Sequence, residues 1–208
     1  MILSLERGIY LASRSPRRRE LLAQIDVRFH LLLFRDRPGE AVDVDESTFG
    51  GETAEAYVER MARTKAETGW RRMVQRNLPR APVLSADTTV ALDGKIFGKP
   101  ADREDAAAML ASLSGRSHEV LTAVALKGDD FLQSVVSRSD VKFKALTPAE
   151  IAAYVESGEC DDKAGAYAIQ GRAARFIVEL RGSYSGVMGL PLYETAQLLE
   201  KMRGRNPH

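Results

Sequence analysis

The chain has 208 residues, of which 44% are apolar and 28% charged, and its net charge is +1. That length supports one substantial core, or two lobes sharing a sheet. The near-zero charge excludes a global field that would gather nucleic acid or a membrane surface, so any anion binding has to come from local clusters.

Cys160 is the single cysteine. It excludes an internal disulfide and suits a reducing, cytoplasmic setting. No run approaches the roughly 20 apolar residues that span a bilayer. The start, with Glu6 and no long apolar core, does not read as a signal peptide.

The spacing predicts a strand over 9–12, followed by Ser15 where a helix N-cap belongs and Pro16 where the first helical residue belongs. Leu21, Leu22 and Ile25 give that helix a buried face. Arg17, Arg18 and Arg19 therefore crowd a first turn whose free N–H groups already attract anions. Cations oppose the helix dipole there, which makes sense if a polyanion fills the gap. The other reading is a strand-turn-helix with a solvated basic face.

A second apolar run over 27–33 predicts a strand, broken by the basic, proline-containing segment 35–40. Asp43, Asp45 and Glu46 then form an acidic knot. Taken locally, it is an exposed loop; carboxylates so spaced also hold hard divalent cations through oxygen. A helix is expected over 53–68, with Lys65 late in it, where a surface lysine suits the dipole. Residues 70–82 read as a solvated basic connection, since no interleaved aromatics support stacking on RNA.

Residues 83–92 are β-prone and apolar but enclose Asp87, Thr88 and Thr89. A carboxylate buried in such a run needs a metal ion or a lysine as partner. Asp93-Gly94 predicts a tight hairpin returning through Gly98-Lys99-Pro100, which brings Lys99 back toward Asp87. A buried ionisable group in a cleft is a favoured site candidate, so Asp87 reads as functional.

Asp102 caps a helix expected to run to Leu113, and Ser114-Gly115 stops it. Strands follow over 118–126 and 131–143, with His118 read as structural because no second histidine lies nearby. Such long paired strands offer a surface to a second copy, which makes a homodimer possible. Thr147-Pro148-Ala149-Glu150 is a capping box, opening a helix to Ser157. Lys163 to Gly171 is a glycine-containing loop in which Gln170 carries an amide able to read a base edge, although taken locally it is a plain loop glutamine. A strand over 173–180, a glycine-rich loop over 182–192, a last helix and a disordered tail after Met202 complete the reading.

Several of these blocks, in order, resemble the Maf family of nucleoside triphosphate pyrophosphatases. They are L-A-S-x-S-P-R-R at Leu11 to Arg18, D-E at Asp45-Glu46, K-A at Lys65-Ala66, A-D-T-x-V at Ala86 to Val90 and G-K-P at Gly98 to Pro100. S-G-x-x-H-x-V-x-T follows at Ser114 to Thr122, K-A-G-x-Y-x-I-Q-G at Lys163 to Gly171 and G-S-Y-x-x-V-x-G-L-P at Gly182 to Pro191. The segment 31–40 departs from the pattern and leaves the placement of Glu46 less defined than that of Asp87.

The resemblance implies an α/β fold of the Maf and inosine-triphosphatase type: one domain over 1–208 with a mixed, elongated, twisted sheet flanked by helices and a cleft between two lobes. It also implies hydrolysis of a nucleoside triphosphate to the monophosphate and pyrophosphate. Asp87 would be the proton acceptor, Glu46 and Asp87 would hold a divalent cation (Mg²⁺ or Mn²⁺), and Ser13, Arg18, Lys65 and Lys99 would meet the phosphates. Arg17, Thr88 and Gln170 match the branch acting on dTTP and UTP. The branch acting on 7-methyl-GTP has an aromatic residue at the first of these positions and glutamate at the last, which suit a cationic base. A rival role is a nucleotide- or RNA-binding regulator of cell division without essential catalysis.

Overall fold

The computed structural model describes residues 8–34 and 44–205, with side chains through 202. The basic segment 35–40, together with Asp43 and the last three residues, lies outside them. The opening follows the local signals. Ile9, Leu11 and Tyr10 are buried in β1 (Ile9–Leu11), and Pro16 starts α1 (Pro16–Gln24). The Ser15 side chain makes no capping bond; its own N–H instead donates to Ser13 Oγ at 3.2 Å. The next strand, β2 (Phe29–Leu31), is shorter than its apolar run.

Helix α2 (Ala54–Gln75) runs seven residues beyond the expected stop at Thr68. Gly69, the first residue beyond that stop, is a packing glycine within the helix. A Cβ there would meet Val83 Cγ1 at 2.8 Å and Ala12 Cβ at 3.2 Å, so its absence lets the helix lie close on the strands. Met73 then buries fully and Trp70 packs beside it, so residues 70–75 of the expected connection are helical with one apolar face, and 76–82 make the connection.

Strand β3 (Val83–Leu92) forms as expected and turns at Asp93 (φ 51°) and Gly94 (φ 77°) into β4 (Lys95–Phe97). Consecutive positive φ values are the mark of a two-residue hairpin turn matched to strand twist. Asp102 caps α3 (Arg103–Leu113) by accepting from the Asp105 N–H. The long strands β5 (Ser117–Lys127) and β6 (Leu132–Phe143) pair along their lengths. Thr147 and Glu150 close the capping box of α4 (Pro148–Glu156).

Three later expectations need correction. Residues 172–176 form a 3₁₀ turn that buries Ala173 and Phe176, and only β7 (Ile177–Arg181) is extended. The glycine-rich loop contains a short helix, α5 (Tyr184–Met188), because Ser183 caps it through the Gly186 N–H and Gly189 ends it at φ 119°. Helix α6 (Leu192–Arg205) continues past Met202, so residues 203–205 are helical rather than disordered.

The result is a seven-stranded mixed sheet in the order β2-β1-β3-β5-β6-β7, with β4 also on β3. β1 pairs parallel with β2 and β3, and the remaining pairings are antiparallel. Among the described residues, no helix is long and apolar enough to cross a membrane.

Side chains alternate across a strand, and here that separates the cores. Leu84, Ala86, Val124 and Leu126 pack with Leu21 and Leu22 of α1 and Leu198 and Leu199 of α6. Further along the same face, Val90, Leu92 and Val120 pack with α3 and α4. Between these two apolar clusters the face carries one polar pair, Thr88 opposite Thr122. The other face carries Ala91, Leu121, Ala123 and Ala125 against Val58, Ala62 and Ala66 of α2.

His118 is buried, with Nε2 at 2.8 Å from the Tyr167 hydroxyl and its ring edge-on to Phe143. Burial pulls its pKa down to about 4, so it stays neutral and structural, as its sequence setting implied.

Candidate active site

The site starts from an interruption in the sheet edge. The pairing of β3 with β1 ends at Leu84, apart from one further bond from the Ala12 N–H to the Leu84 carbonyl at 2.8 Å. Pairing with β4 begins at Val90. Residues 85–89 therefore have β5 on one side and, among the described residues, no strand on the other. Asp87 and Thr88 sit in this opening and point to opposite faces of the sheet.

On the Thr88 face, α1 supplies the arginines. Arg18 donates through Nε to the Gly189 carbonyl (2.7 Å), through Nη1 to Ser13 Oγ (3.2 Å) and through Nη2 to Thr88 Oγ1 (3.3 Å). All three acceptors are neutral, and two of the five guanidinium N–H groups have no protein partner among the described residues. Burial lowers the Arg18 pKa, and the nearby Asp87 carboxylate opposes that. A half-buried charge whose hydrogen-bond partners are all neutral leaves a place for an anion. Arg17 is similar: Nε donates to the Met188 carbonyl at 3.2 Å, and burial lowers its pKa.

On the opposite face, α2 brings Lys65 over β3. Its Nζ lies 2.6 Å from Asp87 Oδ1 and 2.7 Å from Glu46 Oε1. The half-buried aspartate thus has a lysine partner, but it is Lys65, not the Lys99 that the hairpin suggested. Lys99 is exposed, and its charge is felt at Glu46. Burial would raise the Glu46 pKa, yet Lys65, Lys99 and Arg18 outweigh it and hold the carboxyl below its usual range.

The open edge therefore gathers Arg17, Arg18, Lys65 and Lys99 around Asp87 and Glu46, a net excess of two positive charges. Ser13 belongs to the same cluster as an acceptor for Arg18. Gln170 is exposed in a turn and makes no hydrogen bond to this group among the described residues.

Its loop is nevertheless anchored to the hairpin. The Gly165 N–H donates to the Gly98 carbonyl at 3.0 Å. Gly165 sits at φ 67°, where a Cβ would come 2.7 Å from Val90 Cγ2. Only glycine fits that close approach without strain.

Several contributors were given no role by the sequence, although Lys163 and Thr122 are letters of the motif blocks above. The Tyr57 hydroxyl donates to the Glu46 carbonyl oxygen at 3.0 Å and holds the acidic loop. Burial, Asp87 and Glu46 push the Tyr57 pKa up to about 12. Arg60 clamps the same loop, pairing with Glu52, donating to the Ser47 carbonyl and lying 4.0 Å over the Phe49 ring. Lys163 lies near enough to Arg17 for its charge to add to the effect of burial in lowering the Lys163 pKa. Thr122 touches Thr88 at 2.9 Å. These roles come from helix placement and strand register, which no local motif encodes.

Asp87 and Glu46 converge on one ammonium group, so both carboxylates reach a common point. Hard oxygen donors of this kind suit Mg²⁺ or Mn²⁺. Among the described residues no group of three or more His, Cys, Asp or Glu side chains converges. A cation held by this pair would need oxygens from a phosphorylated ligand, the usual arrangement for Mg²⁺.

Comparison with known proteins places these residues in a family context. The family described as Maf-like protein matches residues 8–202. The chain is 60% identical over 197 residues to the dTTP/UTP pyrophosphatase of Aromatoleum aromaticum, covering 94% of this chain and 96% of that protein. It is 54% identical to the dTTP/UTP pyrophosphatase of Nitrosomonas europaea, covering 93% of each, and 56% identical to that of Burkholderia orbicola, covering 94% and 93%. Among solved structures, the Staphylococcus aureus Ham1 protein aligns at a TM-score of 0.49 and 14% identity, over 95% of this chain and 99% of that chain.

Proposed function

The chain belongs to the Maf-like protein family, and from that premise we propose that it hydrolyses dTTP and UTP to the monophosphate and pyrophosphate. The observation that carries the reading is the open edge of β3, with Arg18 on one face and Lys65 with Asp87 on the other. A triphosphate laid across this edge meets cations from both faces. Curated relatives at 54–60% identity bear that activity in their names.

Arg18 offers its two unpartnered N–H groups to phosphate oxygens, as a fork, while Lys65 and Lys99 act as point charges. Asp87 orients the attacking water and takes its proton as oxygen attacks the α-phosphorus. The bond from that phosphorus to the bridging oxygen breaks, pyrophosphate leaves with the bonding electrons, and Asp87 returns the proton to solvent. A divalent cation held by Asp87 and Glu46 would neutralise phosphate charge as it builds in the transition state. Positioning and electrostatics carry most of such a reaction.

Base choice rests on Arg17, Thr88 and Gln170. An arginine and an amide suit a neutral pyrimidine edge and disfavour a cationic methylated guanine. Modified pyrimidine nucleotides fall within the same reading. The free, buried Cys160 fits a reducing cytoplasm.

Pyrophosphate release from a nucleotide panel with Mg²⁺ or Mn²⁺ tests the proposal. The expected result is a kcat/KM for dTTP and UTP at least about tenfold above that for GTP and 7-methyl-GTP, a modest discrimination for a polar base pocket. Preference for 7-methyl-GTP would overturn the branch, and no release from any triphosphate would overturn the activity.

A further inference from the structure

We propose that Thr122 is a positioning residue: by accepting the Thr88 hydroxyl proton it fixes Thr88 as an acceptor for Arg18 and so aims Arg18 at the phosphates. The inference rests on the phosphate role given to Arg18 above and adds a residue that does not reach the substrate.

The direction of the bonds follows from proton counting. A guanidinium only donates, so Thr88 Oγ1 accepts from Arg18 Nη2 at 3.3 Å. Thr122 Oγ1 lies 2.7 Å from the Gly186 carbonyl oxygen, which only accepts, so the Thr122 hydrogen is used there. The hydrogen between the two threonines, 2.9 Å apart, must therefore belong to Thr88. The chain runs one way, from Arg18 to Thr88 to Thr122 to the Gly186 carbonyl. Each link polarises the next, which strengthens a one-way chain.

The relay ends on the segment that Arg18 also holds. Arg18 Nε donates to Gly189, and Arg17 to Met188. Thr122 thus ties β5 to the same turn that α1 grips, and the guanidinium plane is fixed from both ends.

Packing alone gives no reason for a hydroxyl here. Thr122 is 1% exposed and faces the same side of β5 as Val120 and Val124, which lie in the two apolar clusters. Valine fills nearly the same volume. The Gly186 carbonyl also accepts from the Gly189 N–H at 2.9 Å, so it does not depend on Thr122 for a partner.

The test is steady-state pyrophosphate release from dTTP by the wild-type chain, Thr122→Val, Thr122→Ser, Thr88→Val and the double variant. Arg18 meets phosphate in both ground and transition states, so Thr122→Val is expected to raise KM about tenfold with kcat within about threefold. Thr122→Ser keeps the hydroxyl and should return KM to within about twofold of wild type. In the Thr88→Val background the relay is already cut, so adding Thr122→Val should cost no more than about a further twofold. A wild-type KM for Thr122→Val, no recovery by serine, or equal cost in both backgrounds would overturn the relay. If the valine variant does not fold, Thr122→Ala against Thr122→Ser makes the same comparison. A wild-type chain inactive on dTTP and UTP would overturn the proposed function and this inference with it, whereas an active one with additive variants would overturn the relay alone.

Discussion

Asp87→Asn is expected to lower kcat about a thousandfold while the protein stays folded and still binds nucleotide. A positioned general base contributes on the order of 10² to 10⁴, and a thousandfold loss is about 4 kcal/mol of transition-state stabilisation. Asparagine matches aspartate in size, and its amide oxygen still accepts from Lys65, which sits 2.6 Å from Asp87 Oδ1. The change therefore removes a charge and a proton acceptor without opening a cavity. Pyrophosphate release, a thermal melt and nucleotide affinity on the same sample check it. The result also separates an enzyme from a binding-only regulator of division. A regulator would keep its cellular effect in this variant, and retained turnover would remove Asp87 from the chemistry.

Lys65→Met is expected to act on both activity and its pH dependence. Lys65 bridges Asp87 and Glu46 at 2.6 and 2.7 Å, so its loss leaves two neighbouring carboxylates to repel each other. A fully buried pair broken this way costs about 3–5 kcal/mol. Here the Glu46 side chain is 48% exposed, so about 2 kcal/mol is the expected loss of stability.

Turnover efficiency should fall about a hundredfold, because one phosphate-facing cation is gone. The pH effect has a definite sign. Burial raises the Glu46 pKa, and Lys65 leads the charges that hold it below its usual range. Without Lys65, Glu46 takes up its proton at higher pH, so the acid limb of the activity profile moves upward. Lys65→Arg keeps the charge and should leave that limb nearly in place. An acid limb unmoved in Lys65→Met would mean that the bridge does not govern the site.

Local signals made much of this fold legible. Ser15-Pro16, the Asp93-Gly94 turn, the Asp102 cap and the Thr147–Glu150 capping box are each settled within a few residues, and each starts or ends an element as read. What escaped depends on contacts distant in sequence. Gly69, just past the expected stop of α2, continues the helix with Val83 and Ala12 packed against it. The hairpin points to Lys99 as the partner of Asp87, whereas α2 crosses β3 and delivers Lys65 from 22 residues upstream. Tyr57 and Arg60 are ordinary residues in their local setting and reach the site through the placement of α2, while Thr122 ends a motif block whose spacing does not show the Thr88 it faces across the sheet. The break in pairing at 85–89 is likewise a property of where β1 ends and β4 begins.

A crystal structure with Mg²⁺ and a dUTP analogue whose α,β-bridging oxygen is replaced by NH addresses the central claim most directly. The expected density places the triphosphate across residues 85–89, with Arg18 and Lys65 within about 3.2 Å of its oxygens and the α-phosphorus facing Asp87. A triphosphate bound elsewhere, with Lys65 still bridging Asp87 and Glu46 and nothing lying across that edge, would contradict it.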